Sequence, residues 1–224
     1  PTETYTIGSG KGDYEKAHIP GADFLDLQQE LSNNTSKLRF TFPSAEHFSK
    51  AIGAHGLSND NQAILYSTTS PQWATRIWWM LRAFGFDNAK VLDGGLIRWV
   101  QKGYPTSTIP STYPEQSFTA KPRPGLIIQK SEVLEGIHES NTCIINALSQ
   151  EQHRGVGGRT YGRPGRIKDS ENVPTTELID PQTNEFYPAA VIAERFASVG
   201  TQSSDRVLTY CGGGIAASAT AFLL

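Results

Sequence analysis

The 224-residue sequence lacks any apolar run of the roughly 20 residues that a membrane-spanning helix needs. No signal-peptide pattern opens it, and we therefore expect a cytoplasmic protein. Its net charge is only −2, and no long stretch carries charge of one sign. This balance gives no support for binding to nucleic acid or to a membrane surface.

Cysteine is also scarce. The two cysteines, Cys143 and Cys211, lie 68 positions apart, without the close spacing of metal ligands. We interpret them as one buried thiol, Cys143 in an apolar run, and one thiol with a special role, Cys211. A disulfide between them stays open as the alternative.

The sequence repeats itself at a shift of 144 positions. Residues 44–67 align without a gap with residues 188–211. Both segments show apolar residues at helical spacing up to a glycine that can end a helix in the left-handed conformation. A polar turn and a short apolar strand follow. The aligned pairs include Phe48 with Ile192, Ile52 with Phe196, Gly56 with Gly200, Tyr66 with Tyr210 and, last, Ser67 with Cys211.

A second correspondence lies upstream, between residues 18–22 and 166–170, each followed by a segment that resembles a strand (23–27 and 171–174). Between the repeats, residues 106–124 are rich in proline, which indicates a linker. The sequence therefore predicts two copies of one α/β domain, at 1–105 and 125–224, each a parallel sheet covered by helices on both faces. The second copy stops inside a predicted helix, and we expect it to be truncated there.

Ligands of parallel sheets bind where strands end beside helix N-termini, and the stretch YCGGGIAAS (210–218) is such a junction. A dinucleotide pattern, Gly212-x-Gly214-x-x-Ala217, fits it only loosely. A cysteine phosphatase would need an arginine six residues after the cysteine, where Ala217 stands. In a third interpretation, successive backbone N–H groups and the positive helix end favour a thiolate at Cys211, the form that acts as a nucleophile.

These motifs make the chain resemble the tandem-domain rhodanese-like sulfurtransferases, which include thiosulfate and 3-mercaptopyruvate sulfurtransferases. The resemblance covers nearly the whole chain. It rests on HIPGA (18–22), RIWWMLR (76–82), VLDGGLIRW (91–99) and YCGGG (210–214).

The resemblance implies a persulfide on Cys211, formed from a small anionic sulfur donor and passed to a thiophilic acceptor such as cyanide or a thiol. It implies no metal and no organic cofactor, and a first domain made catalytically silent by Ser67. The backbone cradle of the persulfide would comprise Gly212, Gly213, Gly214, Ile215 and Ala216.

The chain also departs from the family pattern. Gly213 stands where mercaptopyruvate-type members carry serine, and Asn146-Ala147-Leu148 replaces a charged Asp-x-Arg pair. We expect Arg163 to bind the anionic donor, with Arg154 or Arg159 replacing a lost arginine. The alternative is a rhodanese-like binding or sulfur-sensing module with weak or no catalysis.

Overall fold

The computed structural model describes residues 8–159 and 161–224, which form two units. The first unit contains residues 8–124 together with 183–185, and the second contains 125–182 together with 186–224. Within the described residues, no helix is both long and apolar enough to span a membrane. Each unit contains parallel strands and helices, in agreement with the predicted α/β class.

The first unit has two parallel strands in its sheet. Strand β1 pairs with β2, so that Ala63 faces Ala89. In chain order the elements of this unit are helix α1 (Lys11–Lys16), helix α2 (Ala45–Ala54), strand β1 (Ala63–Leu65), helix α3 (Pro71–Ala83), strand β2 (Ala89–Val91) and helix α4 (Gly95–Gln101).

Helix α3 crosses the core of the first unit. It begins at Pro71, a residue suited to the first turn, and Ser70 caps it by accepting a hydrogen bond from the backbone N–H of Gln72. Directly after the helix, Phe84 stacks on Phe48 with ring centroids 4.3 Å apart. The guanidinium of buried Arg76 lies over the Phe42 ring at 4.5 Å. This part of the RIWWMLR motif therefore serves packing.

The segment 106–124, predicted as a linker, runs along the first unit. Phe118 is buried in the core of that unit, and the Gln116 backbone N–H donates to the Gly53 carbonyl at 2.9 Å. A Cβ on Gly53 would collide with the Gln116 carbonyl, so the close approach requires glycine. The predicted domain boundaries stay a prediction, but this segment packs against the core of the first unit.

The second unit has a three-stranded parallel sheet with β3 in the centre. Four of the five residues of β3 are buried, as expected for a strand covered on both faces. In chain order its elements are helix α5 (Lys130–Gly136), strand β3 (Thr142–Asn146), helix α6 (Gln150–Arg154), strand β4 (Glu171–Asn172), helix α7 (Ala189–Ala197), strand β5 (Arg206–Tyr210) and helix α8 (Ile215–Leu223), with short 3₁₀ turns at Thr175–Leu178 and Thr201–Ser203.

The predicted repeat is present in the fold. Helices α2 and α7 occupy equivalent positions, and the glycines that follow them, Gly56 and Gly200, have φ angles of 77° and 84°. Each helix buries its two aligned apolar residues. One prediction was wrong: residues 23–27 form no strand, because the Asp26 carboxylate accepts hydrogen bonds from the backbone N–H groups of residues 28 and 29 and turns the chain.

Candidate active site

Cys211 lies directly after the last residue of β5, at the carboxyl edge of the sheet. Its thiol is free and partly accessible. The backbone N–H of Gly214 donates a hydrogen bond to Cys211 Sγ at 3.1 Å. An N–H group aimed at sulfur is the kind of contact that the sequence-based interpretation expects in this turn, and the nucleophilic role of Cys211 stays a prediction.

The turn that follows Cys211 leads straight into helix α8. Gly214 precedes the first residue of that helix and has a φ of 81°, a left-handed conformation that favours glycine. Ile215 and Ala216 open the helix, where backbone N–H groups find no acceptor within the helix itself. The helix therefore presents its positive end on the side of the cysteine.

Gly212, which directly follows Cys211, is required for a different reason. A Cβ on Gly212 would overlap three carbons of the Tyr161 ring, Cζ, Cε1 and Cε2. Gly212 is absent from the described residues of positive φ, so the neighbouring ring, and not the backbone conformation, requires glycine at this position. Gly213 lies between these two glycines and is partly buried.

Tyr210, the residue before Cys211, is held by a hydrogen-bond network. Its phenol oxygen accepts from the Asn146 side-chain amide at 3.0 Å and from the Ile167 backbone N–H at 3.0 Å. The side-chain oxygen of Asn146, Oδ1, accepts from the Leu148 backbone N–H at 2.8 Å, and this bond fixes the orientation of the side-chain amide. With two donors already on the phenol oxygen, its proton goes to Ser170 Oγ, 2.8 Å away.

Asn146 therefore has a defined role where the family pattern has a charged residue. It is completely buried, at the end of β3 and beside the end of β5. A neutral amide can donate to Tyr210 and accept from Leu148 at once, whereas an ionised carboxylate could only accept. The substitution that removes the charged pair thus creates a support for the strand that carries Cys211. Sequence reasoning missed this support, although the pairing of Asn146 with Tyr210 is visible once the strands are aligned.

The predicted arginines surround a loop on the same unit, described at residues 155–159 and 161–165 and here called the arginine loop. Arg154 is the last residue of helix α6, and Arg159 and Arg163 lie within the loop. All three are exposed. Among the described residues, Arg154 and Arg163 form no ion pair with a carboxylate, so their charge is available to an anion.

The arginine loop is anchored at its ends. A Cβ on Gly155 would lie 3.0 Å from the Gly165 nitrogen, so the two ends of the loop touch. The Gln152 side-chain amide donates to the Arg159 carbonyl at 2.8 Å. Through Tyr161 the loop also contacts the turn after Cys211. The structure therefore brings the loop that carries Arg159 and Arg163 to the cysteine turn, whereas no contact of their guanidinium groups with Cys211 is observed among the described residues.

His153 lies beside this loop. Burial lowers its pKa and the positive charge of Arg166 lowers it further, Glu171 opposes this to a lesser degree, and Arg154 adds the smallest lowering effect. A pKa below the usual value leaves the imidazole neutral at pH 7. The positive charge of the site therefore comes from the arginines.

Cys143 differs from Cys211 in its burial and its surroundings. It is buried in the apolar cluster between β3 and helix α7, and its thiol donates to the Val199 carbonyl at 3.4 Å. Burial raises its pKa, and the charge of Glu171 raises it further, which keeps the thiol protonated. The prediction of one buried thiol is confirmed, and the described structure contains no disulfide.

Comparison with known proteins agrees with this geometry. A family model described as the rhodanese-like domain matches residues 9–102. The 3-mercaptopyruvate sulfurtransferase of Rattus norvegicus is 31% identical over 209 residues, covering 92% of this chain and 70% of the relative. The thiosulfate sulfurtransferase of Rattus norvegicus is 28% identical over 214 residues, with the same coverage.

Solved structures give the same result. SseA from Escherichia coli, whose structure was reported for the rhodanese fold and the mechanism of 3-mercaptopyruvate sulfotransferases, superposes with a TM-score of 0.84. It is 30% identical, and the match covers 94% of this chain and 79% of SseA. Together with the sequence relatives, this match confirms the resemblance drawn from the motifs: the chain belongs to the rhodanese-like sulfurtransferase family.

Proposed function

We propose that this protein moves a sulfane sulfur from a small anionic donor, thiosulfate or 3-mercaptopyruvate, to a thiophilic acceptor through a persulfide on Cys211. Relatives of both donor types match the chain to a similar extent. Both donors therefore belong to the proposal. The relatives also favour an enzyme over the alternative of a binding or sulfur-sensing module.

The observation that carries the proposal is the hydrogen bond from the Gly214 N–H to Cys211 Sγ. It places a donor on the sulfur at the positive end of helix α8, whose nine residues align their peptide dipoles toward the turn. Both effects stabilise negative charge on a sulfur atom at this position. The same donors would stabilise the outer sulfur of a persulfide, which also carries negative charge.

The chemistry proceeds in two displacements. The Cys211 thiolate attacks the outer sulfur of thiosulfate, a new S–S bond forms, and the old S–S bond breaks with its electron pair leaving on sulfite. With 3-mercaptopyruvate, the C–S bond breaks instead and its electron pair leaves on the enolate of pyruvate, which then takes a proton. An acceptor such as cyanide next attacks the outer sulfur, forms thiocyanate and regenerates the thiolate.

Arginine side chains account for the recognition of the donor. A sulfonate-like or carboxylate group matches the planar fork of a guanidinium. Arg163 and Arg154 have no carboxylate partner among the described residues, and Arg163 follows Tyr161 by two positions in the loop that contacts the cysteine turn. We assign Arg163 as the principal donor-binding residue, with Arg154 and Arg159 contributing.

The experiment is intact-mass measurement after incubation with thiosulfate, and separately with 3-mercaptopyruvate, before and after addition of cyanide. We expect a gain of one sulfur that cyanide removes, and the better donor identifies the preferred substrate. Cys211→Ser should lose this gain completely, because a hydroxyl forms no persulfide. Cys143→Ser is the matched control and should retain it.

A folded protein with a free thiol that gains no sulfur from either donor would overturn the proposal in favour of the binding module. Sulfur that stays on the Cys211→Ser variant would move the reaction to another residue.

A further inference from the structure

The contact between Tyr161 and Gly212 is unusual for an exposed loop. Nearly half of the Tyr161 surface is exposed (48%), yet its ring lies against the residue that follows Cys211. A Cβ on Gly212 would overlap Cζ and both Cε atoms to a similar degree. That position is therefore over the face of the ring, at the end that carries the hydroxyl, and not beside its edge.

This contact determines where the arginine loop stands. The two ends of the loop are joined at Gly155 and Gly165, and Gln152 binds the backbone of Arg159. Between these anchors, Tyr161 reaches the cysteine turn. One aromatic ring resting on one glycine therefore joins the loop to the cysteine turn.

Aromatic side chains stabilise a fold by burying their surface, and Tyr161 buries about half of its own against the cysteine turn and the loop while 48% stays exposed. The turn itself, Cys211-Gly212-Gly213-Gly214, has no side chain other than the thiol, so nothing in it can restrict access to the sulfur. Tyr161 supplies the bulk that the turn lacks.

We propose that Tyr161 is a specificity-determining residue: its ring forms one wall of the approach to Cys211, admits small anionic donors and small acceptors, and excludes bulky ones. This inference rests on the proposed function only in taking Cys211 as the reacting thiol. Arg159 and Arg163 lie two positions to either side of Tyr161 in the same loop.

Access to the thiol can be measured without any sulfur transfer. In a Cys143→Ser background, we would follow alkylation of Cys211 by iodoacetamide, a small reagent, and by N-(1-pyrenyl)maleimide, a bulky one. Tyr161→Ala should raise the rate with the bulky reagent, relative to the small one, by about fivefold or more. Tyr161→Phe keeps the ring and should keep the wild-type ratio.

Gly212→Ala gives an independent test, since its methyl group cannot coexist with the ring in its present position. Gly212→Ala alone should shift the ratio in the same direction as Tyr161→Ala, and it should add nothing in the double variant. Val156→Ala, at a 76% exposed position of the same loop, is the control and should leave the ratio unchanged.

A ratio unchanged in Tyr161→Ala would overturn the proposal, as would a Gly212→Ala effect that persists without the ring. The outcome is separable from that of the sulfur-transfer experiment. If the ratio of alkylation rates shifts in a protein that forms no persulfide, the role of Tyr161 in restricting access is supported and the proposed function is overturned.

Discussion

The phenol oxygen of Tyr210 lies 3.0 Å from the side-chain nitrogen of Asn146, one residue before the proposed nucleophile. The first unit has a matching tyrosine, Tyr66, whose phenol oxygen accepts from the Ile19 backbone N–H at 3.1 Å. Ile19 corresponds in the repeat to Ile167, which makes the same bond to Tyr210. Both units thus share a tyrosine contact, and the tyrosine of the second unit has two further partners.

This difference predicts unequal costs of removing the two phenol groups. Tyr210→Phe leaves the polar groups of Asn146, Ile167 and Ser170 without their partner, and should lower the free energy of unfolding by about 2–3 kcal/mol. Tyr66→Phe is the matched control and should cost about 1 kcal/mol, the value of one hydrogen bond. Urea denaturation of the full chain measures both, and equal costs would contradict the network.

Introducing a cysteine at position 67 of the first unit should not create a reactive thiol. Ser67 Oγ donates to the Ser70 carbonyl at 2.5 Å, whereas Cys211 Sγ accepts from an N–H group. A carbonyl oxygen at that distance disfavours a thiolate. In a Cys143→Ser, Cys211→Ser background, Ser67→Cys should react with iodoacetamide at least about tenfold more slowly than Cys211 does in the Cys143→Ser protein. Equal rates would show that the loop, and not its hydrogen bonds, determines reactivity.

Arg163→Ala should weaken donor binding. Loss of one charge-assisted contact to the donor should raise the KM for the better donor by about tenfold, with kcat nearly unchanged. Lys168→Ala removes the same charge from a nearby exposed position and is the control, with little expected effect. Steady-state kinetics decides the matter, and an unchanged KM for every donor would remove Arg163 from the site.

The first unit should be sensitive to alkaline pH through His55. The hydrogen bond with Glu30 raises the His55 pKa to about 9, against the effect of burial, and the bond with Asp23 adds to the rise. The two carboxylates lie 2.9 Å and 2.7 Å from the ring nitrogens. Because the folded-state pKa exceeds the unfolded value of 6.5, this stabilisation is complete below about pH 6.5 and is lost as pH rises through about 9.

After allowance for solvent screening, the contribution of His55 should be about 1–2 kcal/mol. Thermal unfolding between pH 6 and pH 10 tests it. The wild type should lose more stability over this range than His55→Gln does. His138→Gln, at an exposed position of the other unit, should follow the wild type, and parallel curves for all three proteins would contradict the assignment.

Much of the architecture could be predicted because the sequence contains two copies of the same pattern. The repeat identified helices α2 and α7 and the glycines that end them, since helical periodicity and a left-handed glycine are local signals. Even the turns at 18–22 and 166–170 match, with Gly21 and Asp169 both at positive φ. Residues 23–27 were mistaken for a strand because side-chain capping by Asp26 competes with strand pairing and leaves no periodic pattern.

The site was predictable only in part. Cys211 could be found because a cysteine between a strand and a glycine-rich turn is unusual in a chain with two cysteines. The contact of Tyr161 with Gly212 joins residues that are far apart in sequence, and nothing local indicates it. From the sequence, Asn146 indicates only that a charged residue of the family pattern is missing, because a single sequence does not reveal that its amide faces the Tyr210 phenol.

The saturated phenol of Tyr210 has a consequence for the reaction cycle. A persulfide extends the cysteine side chain by one S–S bond, about 2 Å. The strand cannot retreat to accommodate the added atom, since three hydrogen bonds hold the residue behind it. The added sulfur must therefore project away from the strand, and the strand end that carries Cys211 should keep the same position with and without the second sulfur.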